Sequence, residues 1–270
     1  MPDRALGRRP PINAPALRLG AYLTGTLPDN APAVDHFARV DHWILGGNDR
    51  YGDCGPVSVA NQRLLVTTYL TGKPQVASQA AIFDLYRRSG NPGFDPATGA
   101  DDHGVVLQTM AEELTRGGIG GVRALAVARV DHTSFVELRA AISIFGSVLF
   151  GVNLETAQQA QTDRHLWDYV PYSGEWGGHA ILGGRYREAP DETDVVTWAE
   201  VVGMTDAFMD NQLEEAWAVI WPEHLRSAAF VAGLSVADLA TDWQALTGTP
   251  MLPDRSLLGR IRSFLKEHRC

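Results

Sequence analysis

The sequence predicts an α+β protein in which helices are concentrated in the first half of the chain and strands in the second. Two observations predict this class. Segments with helical apolar spacing and capping residues lie between residues 54 and 145, whereas short β-branched and aromatic runs follow Gly146. A chain of 270 residues with 45% hydrophobic content can bury the core of one large domain or of two packed lobes.

Residues 1–33 are rich in proline, arginine and alanine and have no sustained hydrophobic period, which predicts an extended arm. The charges near the N-terminus are not followed by an apolar stretch, so no export signal is predicted and the cytoplasm is the expected location. No apolar run reaches the roughly 18 residues that a membrane helix needs. The sequence therefore predicts no membrane partner.

Four segments between residues 54 and 145 have the spacing and the end signals of helices. Asp53 is a candidate N-cap for the first segment, Gly72 is its candidate stop, and Ser134 with Glu137 forms a capping-box pattern for the last. The predicted helices cover 54–70, 78–89, 104–116 and 134–145.

The second half contains β-type runs separated by turn-like residues, and the predicted strands cover 147–154, 179–188, 194–203 and 215–221. Ser235 and Asp238 open a further predicted helix, and an amphipathic basic helix is expected at 254–269. The expected organisation is an arm at 1–33, a main domain at 34–228 and a C-terminal helical extension at 229–270.

Composition narrows the possible functions. A net charge of -9 argues against nucleic-acid binding. The two cysteines, Cys54 and Cys270, lie too far apart for a disulfide framework and fit a reducing compartment. Asp101, Asp102 and His103 look like metal ligands, but nothing downstream completes the set, and cap-and-turn roles are favoured. No metal and no cofactor is predicted.

Cys54 lies where a glycine-containing loop enters the first long predicted helix. A helix N-terminus offers free N–H groups and a positive dipole, which stabilise a thiolate over a thiol. Gly52 leaves room for a substrate to approach, and Asn48, on the same loop, is a candidate donor to an oxyanion. A buried, inert cysteine and a turn-forming asparagine are the alternative interpretations.

A second motif places His179 at the start of an apolar strand, behind Trp176, Gly177 and Gly178. The glycines leave space for a substrate chain, and an imidazole can act first as the base and then as the acid that thiol catalysis needs. The other histidines have different settings; His224, for example, lies in a predicted helical tail.

The ordered motifs resemble the papain-like cysteine peptidase superfamily and, more specifically, small papain-fold proteins of actinobacteria and their phages. Six motifs over about 190 residues carry the resemblance: GNDRYGDC at 47–54, DxG near 102, GGIGG at 117–121, FGxVxxG at 145–151, WGGHA at 176–180 and TWxExxxMT at 197–205. The resemblance implies a papain-like fold, with a helical lobe carrying the cysteine helix and a β-rich lobe carrying the histidine strand.

Carried over residue by residue, the resemblance makes Cys54 the nucleophile, His179 the general base and acid, and Asn48 the oxyanion donor. Trp198 would shield the histidine, and it would contact substrate together with Gly52, Gly178 and Trp176. The resemblance to phage proteins also adds packaging in a phage particle as a possible location.

One position departs from the family pattern. Papain-like enzymes carry an asparagine two residues before this tryptophan, where Val196 stands here. Asp194 shares a strand face with Val196 and is predicted to orient His179 instead, whereas Thr197 is expected on the opposite face. A dyad without an orienting residue is the alternative.

The sequence therefore predicts a cysteine-type peptidase or amidase that forms an acyl-enzyme on Cys54, with a protein, isopeptide or cell-wall peptide as substrate. Acyl transfer to an amine is not distinguished from hydrolysis. A catalytically weak or inactive structural or interaction module is the alternative from another class, and the missing asparagine favours it mildly.

Overall fold

A computed structural model describes residues 4–24, 33–188 and 191–252. Its α-helices are α1 (Cys54–Thr71), α2 (Gln79–Arg88), α3 (Leu107–Arg116), α4 (Phe135–Phe145), α5 (Ala157–Thr162), α6 (Asp206–Gln212), α7 (Ala228–Gly233) and α8 (Val236–Thr247). Its strands are β1 (Ala33–Asp35), β2 (Ala126–Val130), β3 (Val148–Glu155), β4 (Leu166–Trp167), β5 (Glu175–Glu188), β6 (Asp191–Thr197), β7 (Glu200–Thr205) and β8 (Leu213–Ile220). The predicted α+β class is confirmed.

The central helix α1 begins and ends close to where the sequence predicts. Gly72 closes it in the left-handed conformation with φ +67°, which glycine adopts without steric cost. Residues 54–67 are all buried, so α1 is an interior helix rather than one with a single apolar face. Its buried polar side chains have partners; Asn61, for example, bonds to both backbone groups of Ile44.

The strands form one sheet in the order β2-β8-β3-β5-β6-β7-β4, and β1 pairs with the far end of β5. Every pairing is antiparallel except that of β4 with β7. The long strand β5 lies in the middle, with β3 on one edge and β6 on the other, and α1 packs against it. Helix α1 and strand β5 thus form the junction between the helical region and the sheet.

The single strand predicted over 194–203 is a hairpin of β6 and β7. Its two turn residues, Trp198 and Ala199, have φ values of +47° and +61°. Positive φ at both central residues is the geometry of the tight turn that matches strand twist, and it is costly for residues other than glycine. The prediction missed the turn because its central residues are neither Gly, Asn nor Asp.

The arm is tied to the body at isolated bridges, in which Arg8 pairs with Val105, Arg18 with Arg129, and Leu23 with Leu234. At the other end of the chain, α8 follows the predicted Ser235 start and buries Leu239 and Trp243. The helix predicted at 254–269 lies outside the described residues. No helix within the described ranges is long and apolar enough to span a membrane.

Candidate active site

Cys54 is the first residue of α1 and lies fully buried against β5. Its Sγ accepts a hydrogen bond from the Ala180 backbone N–H at 3.4 Å. One helical turn further on, the Ser58 hydroxyl donates to the Ala180 carbonyl at 3.1 Å. This edge of β5 accommodates α1 because its pairing with β6 begins only at Leu182. The two contacts therefore seat the start of α1 on the strand that carries His179.

The two ring nitrogens of His179 have different surroundings. Nε2 lies 2.6 Å from the Thr197 Oγ1, whereas Nδ1 is buried and has no hydrogen-bond partner in the described part of the chain. Trp198 stacks on the imidazole, with ring centroids 4.3 Å apart and planes 14° from parallel. Trp176 stacks in turn on Trp198 at 5.7 Å. The hydroxyl and the indole fix the ring, and Nδ1 is the nitrogen that these contacts leave for proton transfer.

The structure corrects the predicted orienting residue. Asp194 is buried in contact with Arg185, whose Nε donates to Asp194 Oδ2, and Asp194 Oδ1 lies 3.6 Å from Arg187 Nη2. Asp194 therefore pairs with arginines of β5 and does not form the hydrogen bond to His179 that the sequence predicted. Thr197, which was expected on the opposite face, provides the hydrogen-bond partner of Nε2. The extra residue of the register shift lies in β5, between Gly183 and Arg185, whereas β6 is regular. Asp194 and Thr197 therefore lie on opposite faces as expected, but the alternation did not predict that His179 lies on the face of Thr197.

Arm residues 5–9 occupy the cleft between the helical region and β5. They form an irregular parallel pairing with the loop before α3 and a contact with the start of β5. The backbone hydrogen bonds run from Ala5 N–H to Asn48 O (3.2 Å), Arg8 N–H to Gly178 O (3.0 Å), Arg9 N–H to Val105 O (2.8 Å) and Val105 N–H to Gly7 O (2.7 Å).

Glycines make this close approach possible. A Cβ added at Gly7 would lie 2.0 Å from the Gly52 carbonyl oxygen, and one added at Gly178 would lie 2.1 Å from the Arg8 carbonyl oxygen. The Trp198 Nε1–H donates to the Ala5 carbonyl at 3.3 Å. Gly52, Gly178 and Trp198, which were predicted to contact substrate, thus contact the arm.

Asn48 lies buried beside the arm and is only 1% exposed. Its backbone carbonyl accepts the bond from Ala5, and its side-chain Oδ1 has no hydrogen-bond partner among the described residues. An amide in this position can turn toward a substrate without breaking a hydrogen bond of Oδ1. Its assignment as an oxyanion donor remains a prediction.

Burial sets the protonation states of the candidate catalytic pair, Cys54 and His179, in this closed arrangement. It raises the pKa of the Cys54 thiol to about 12, although the Ala180 N–H acts in the opposite direction. Burial also lowers the pKa of His179 to about 3, and the nearby positive charge of Arg8 adds to this effect. Both groups are therefore neutral at pH 7, as a thiol and an imidazole. The thiolate that attacks a carbonyl requires the cleft to be opened to water.

Asp53 immediately precedes Cys54. The sequence predicted that its side chain caps α1, but the side chain makes no capping hydrogen bond. Both of its carboxyl oxygens are buried and have no hydrogen-bond partner among the residues that the structure describes. Burial raises the pKa of Asp53 to about 8, and the charge of Asp102 contributes. At pH 7 the group is mostly protonated, which removes a negative charge that would oppose a thiolate at Cys54.

Sequence reasoning missed two further features of this cleft. Thr197 was not predicted because its contact with His179 depends on the register of the strands, and Arg8 was not predicted because the arm has no periodicity. For Thr197, the available sequence signal was its position directly before Trp198 at the end of a strand. Across the described ranges, no group of three or more His, Cys, Asp or Glu side chains is arranged to hold a metal ion.

Comparison with known proteins places this geometry in a fold class. No protein-family model and no curated protein sequence matches the chain. Among solved structures, xylellain, a cysteine protease from Xylella fastidiosa, is similar with a TM-score of 0.62 and 13% identity, over 81% of this chain and 97% of that one.

Two further solved structures are similar over most of their length. The Carica candamarcensis cysteine protease CMS1MS2, solved with E-64, has a TM-score of 0.52 and 15% identity, over 71% of this chain and 99% of that one. Digestive procathepsin L 3 of Tenebrio molitor larval midgut has a TM-score of 0.55 and 11% identity, over 81% of this chain and 76% of that one. The chain therefore has the papain-like fold of cysteine proteases.

Proposed function

We propose that this protein is a cysteine-type peptidase or amide hydrolase. The observation that carries the proposal is the junction of α1 and β5. There Cys54 starts a helix and accepts the Ala180 N–H, while the adjacent His179 keeps an unpartnered Nδ1. The similar solved structures are described as cysteine proteases, which supports a protein or peptide as the substrate.

The reaction begins when Nδ1 of His179 takes the Cys54 proton and the thiolate attacks the substrate carbonyl. The Cys54 N–H and the Asn48 side-chain amide stabilise the oxyanion of the tetrahedral intermediate. The intermediate collapses to a thioester as the imidazolium protonates the leaving amine. His179 then deprotonates water, which attacks the thioester and releases the carboxylic acid and the Cys54 thiol.

Thr197 keeps the imidazole in the tautomer that this sequence needs. If Nδ1 receives the thiol proton, Nε2 carries its own hydrogen and donates to the Thr197 hydroxyl oxygen 2.6 Å away. The same bond persists in the imidazolium, because both nitrogens are then donors. A hydroxyl thus takes the place of the side-chain amide that the family pattern has before the tryptophan.

The alternative is a binding module with no turnover. It is supported by the arm in the cleft and by the buried, neutral thiol and imidazole. The two functions are separated by what happens to the thiol when the arm leaves, because only an enzyme needs a reactive thiolate there.

The test is the pH dependence of Cys54 alkylation by iodoacetamide in the full chain. Cys270, which lies outside the described residues, is replaced by serine in all samples. The opening variant is Gly7→Val, because a side chain at Gly7 collides with the Gly52 backbone and cannot seat in the cleft. Opening is verified by faster trypsin cleavage within residues 4–9.

We expect the opened protein to react quickly well below pH 8.5, the ordinary thiol range, because a thiolate–imidazolium pair forms. The reaction should be slow in the closed chain and slow in the opened chain that also carries His179→Ala. If alkylation of the opened protein follows an ordinary thiol titration and His179→Ala changes nothing, the enzyme proposal fails and the binding module is favoured.

A further inference from the structure

The side chain of Arg8 fills a pocket in the wall of the cleft. The Arg8 side chain is 2% exposed, and its guanidinium makes one hydrogen bond to the Arg9 carbonyl of the arm at 3.5 Å and three to the pocket. Nε donates to the Val152 carbonyl at 3.2 Å, Nη1 donates to Glu215 at 3.3 Å, and Nη2 donates to Glu214. Each of the three guanidinium nitrogens therefore donates a hydrogen bond to an acceptor on β3 or β8.

The pocket belongs to the candidate active site by position. Val152 pairs directly with His179 across β3 and β5, and Gly151 pairs with Ala180. Gly151 forms part of the pocket wall, since a Cβ there would lie 2.7 Å from the Arg8 Cδ and 2.6 Å from the Glu215 Cγ. A residue whose backbone lies in the cleft beside Gly178 thus places its side chain here.

The pocket supplies two carboxyl groups that pair with the guanidinium of Arg8. Glu215 is 2% exposed, and its second oxygen accepts the Trp217 Nε1–H at 2.8 Å, which holds the carboxylate in place. Glu214 stands at the more open mouth, with 39% of its side chain exposed. A buried carboxylate that loses its cation is strongly destabilised. When Arg8 leaves, the pocket therefore favours another cation over water or an apolar side chain.

We propose that this pocket, lined by Val152, Glu214 and Glu215, receives an arginine side chain of the substrate and makes arginine-containing peptides the preferred class. The inference rests on the proposed function, because it names the substrate of the same cleft. Arginine is preferred over lysine because the three acceptors lie at separate positions, which a planar guanidinium meets and a single ammonium does not.

The test is equilibrium peptide binding, so that it does not depend on turnover. The protein is the full chain with Gly7→Val and Arg8→Ala, which together remove the arm from the cleft and from the pocket, and with Cys54→Ala to prevent cleavage. The probes are acetylated peptide amides of alanine and leucine in which one position is arginine, citrulline, lysine or leucine. The substituted position is moved along the peptide, and the best position is compared.

We expect the arginine peptide to bind on the order of 30- to 100-fold more tightly than its citrulline counterpart, which has the same shape without the charge. The lysine peptide should lie between them. Glu215→Gln, which keeps an oxygen for Trp217, should reduce the arginine preference to a few fold. Glu214→Gln, at the exposed mouth, should reduce it less and serves as the second variant if Glu215→Gln is unstable.

Equal affinity for arginine and citrulline peptides would overturn the inference, as would a preference that both glutamine variants retain. Absence of binding by every peptide would also overturn it, because an emptied substrate pocket beside an open cleft has to be reachable. In each case the pocket would be only the anchor of the arm. The proposed function is judged separately, by the alkylation of Cys54 in the opened chain.

Discussion

His179 and His224 are both fully buried histidines packed against an aromatic ring, yet the protein uses their rings differently. Nδ1 of His224 accepts the Trp221 backbone N–H at 2.9 Å, and Nε2 lies 3.0 Å from the Phe145 carbonyl, to which it donates. At His179, within the described ranges, Nε2 has a hydrogen-bond partner and Nδ1 has none. Burial lowers the pKa of His224 to about 4 and that of His179 to about 3.

The difference shows what separates a structural histidine from a candidate catalytic one. Protonating His224 would remove the acceptor for Trp221, so its neutral tautomer is fixed by the fold. His179 retains a nitrogen that no described group satisfies, next to the strand edge that Cys54 contacts. An unpartnered nitrogen alone is not sufficient, since Nε2 of His36 also lacks a partner while its ring packs edge-on against Tyr69.

The largest expected effect comes from exchanging the two histidines for alanine. In the opened chain, His179→Ala should lower the rate of Cys54 alkylation at pH 7 by about 10- to 30-fold, because the thiolate fraction falls to that of an ordinary thiol with a pKa near 8.5. His224→Ala should leave that rate per folded molecule within a few fold. It should instead lower the free energy of unfolding by about 3–5 kcal/mol, because it leaves a cavity and two unpaired backbone groups.

Urea unfolding and iodoacetamide kinetics on the same two samples measure both quantities. The opposite pattern, with a reactive thiol in His179→Ala and a dead one in folded His224→Ala, would contradict the division of roles.

A second, smaller contrast separates the residue that contacts His179 from the one that the sequence favoured. Thr197→Val should lower the alkylation rate of the opened chain about 2- to 10-fold, because the hydrogen bond to the imidazolium is lost. Thr197→Ser should restore most of the rate. Asp194→Asn should leave the rate unchanged and cost stability, because it breaks a buried pairing with Arg185. A rate loss in Asp194→Asn without one in Thr197→Val would restore the original prediction.

The last expected effect is a change of stability with pH. The folded pKa values of His36, His179 and His224 lie near 4, 3 and 4, below the usual 6.5, so the unfolded chain takes up protons first as pH falls. Their stabilisation is complete above pH 6.5 and is lost between pH 6.5 and about 4. The raised pKa of Asp53 acts in the other direction, since stability falls as pH rises toward 8.

Below pH 6.5, the three histidines change the free energy of unfolding more steeply with pH than Asp53 does. The free energy of unfolding should therefore be largest near pH 6.5. Thermal unfolding at pH 4.5, 6.5 and 8 checks this expectation, with a slope of up to about 1.4 kcal/mol per pH unit for each proton involved. Asp53→Asn should remove the decline above pH 6.5 and make the rise below pH 6.5 steeper, because the contribution of Asp53 extends over both ranges. A maximum at pH 8 in the unmodified chain would show that Asp53 is ionised in the folded state.

The sequence predicted α1, β5 and the residues at their junction because their signals are local. Cys54 at a helix start, Gly72 at its end and His179 behind two glycines each follow from short-range chemistry. The hairpin turn at Trp198 was not predictable in this way, because its central residues are not typical turn residues. The hydrogen bond of Thr197 was not predictable either, because it depends on a register shift between β5 and β6. The position of Arg8 depends on contacts more than 140 residues away in sequence, which no local pattern encodes.

The arm in the cleft acts as a tethered ligand with its own effective concentration. A short linker typically gives millimolar values, so the docked and undocked populations are set within one molecule and do not change with dilution. If the arm is docked 99% of the time, every external ligand binds about 100-fold more weakly than to an open cleft. A chain whose arm is docked most of the time would therefore show weak apparent affinity even for a well-matched peptide. Changing the docked fraction of the arm is the most direct way to change the affinity of the cleft for ligands.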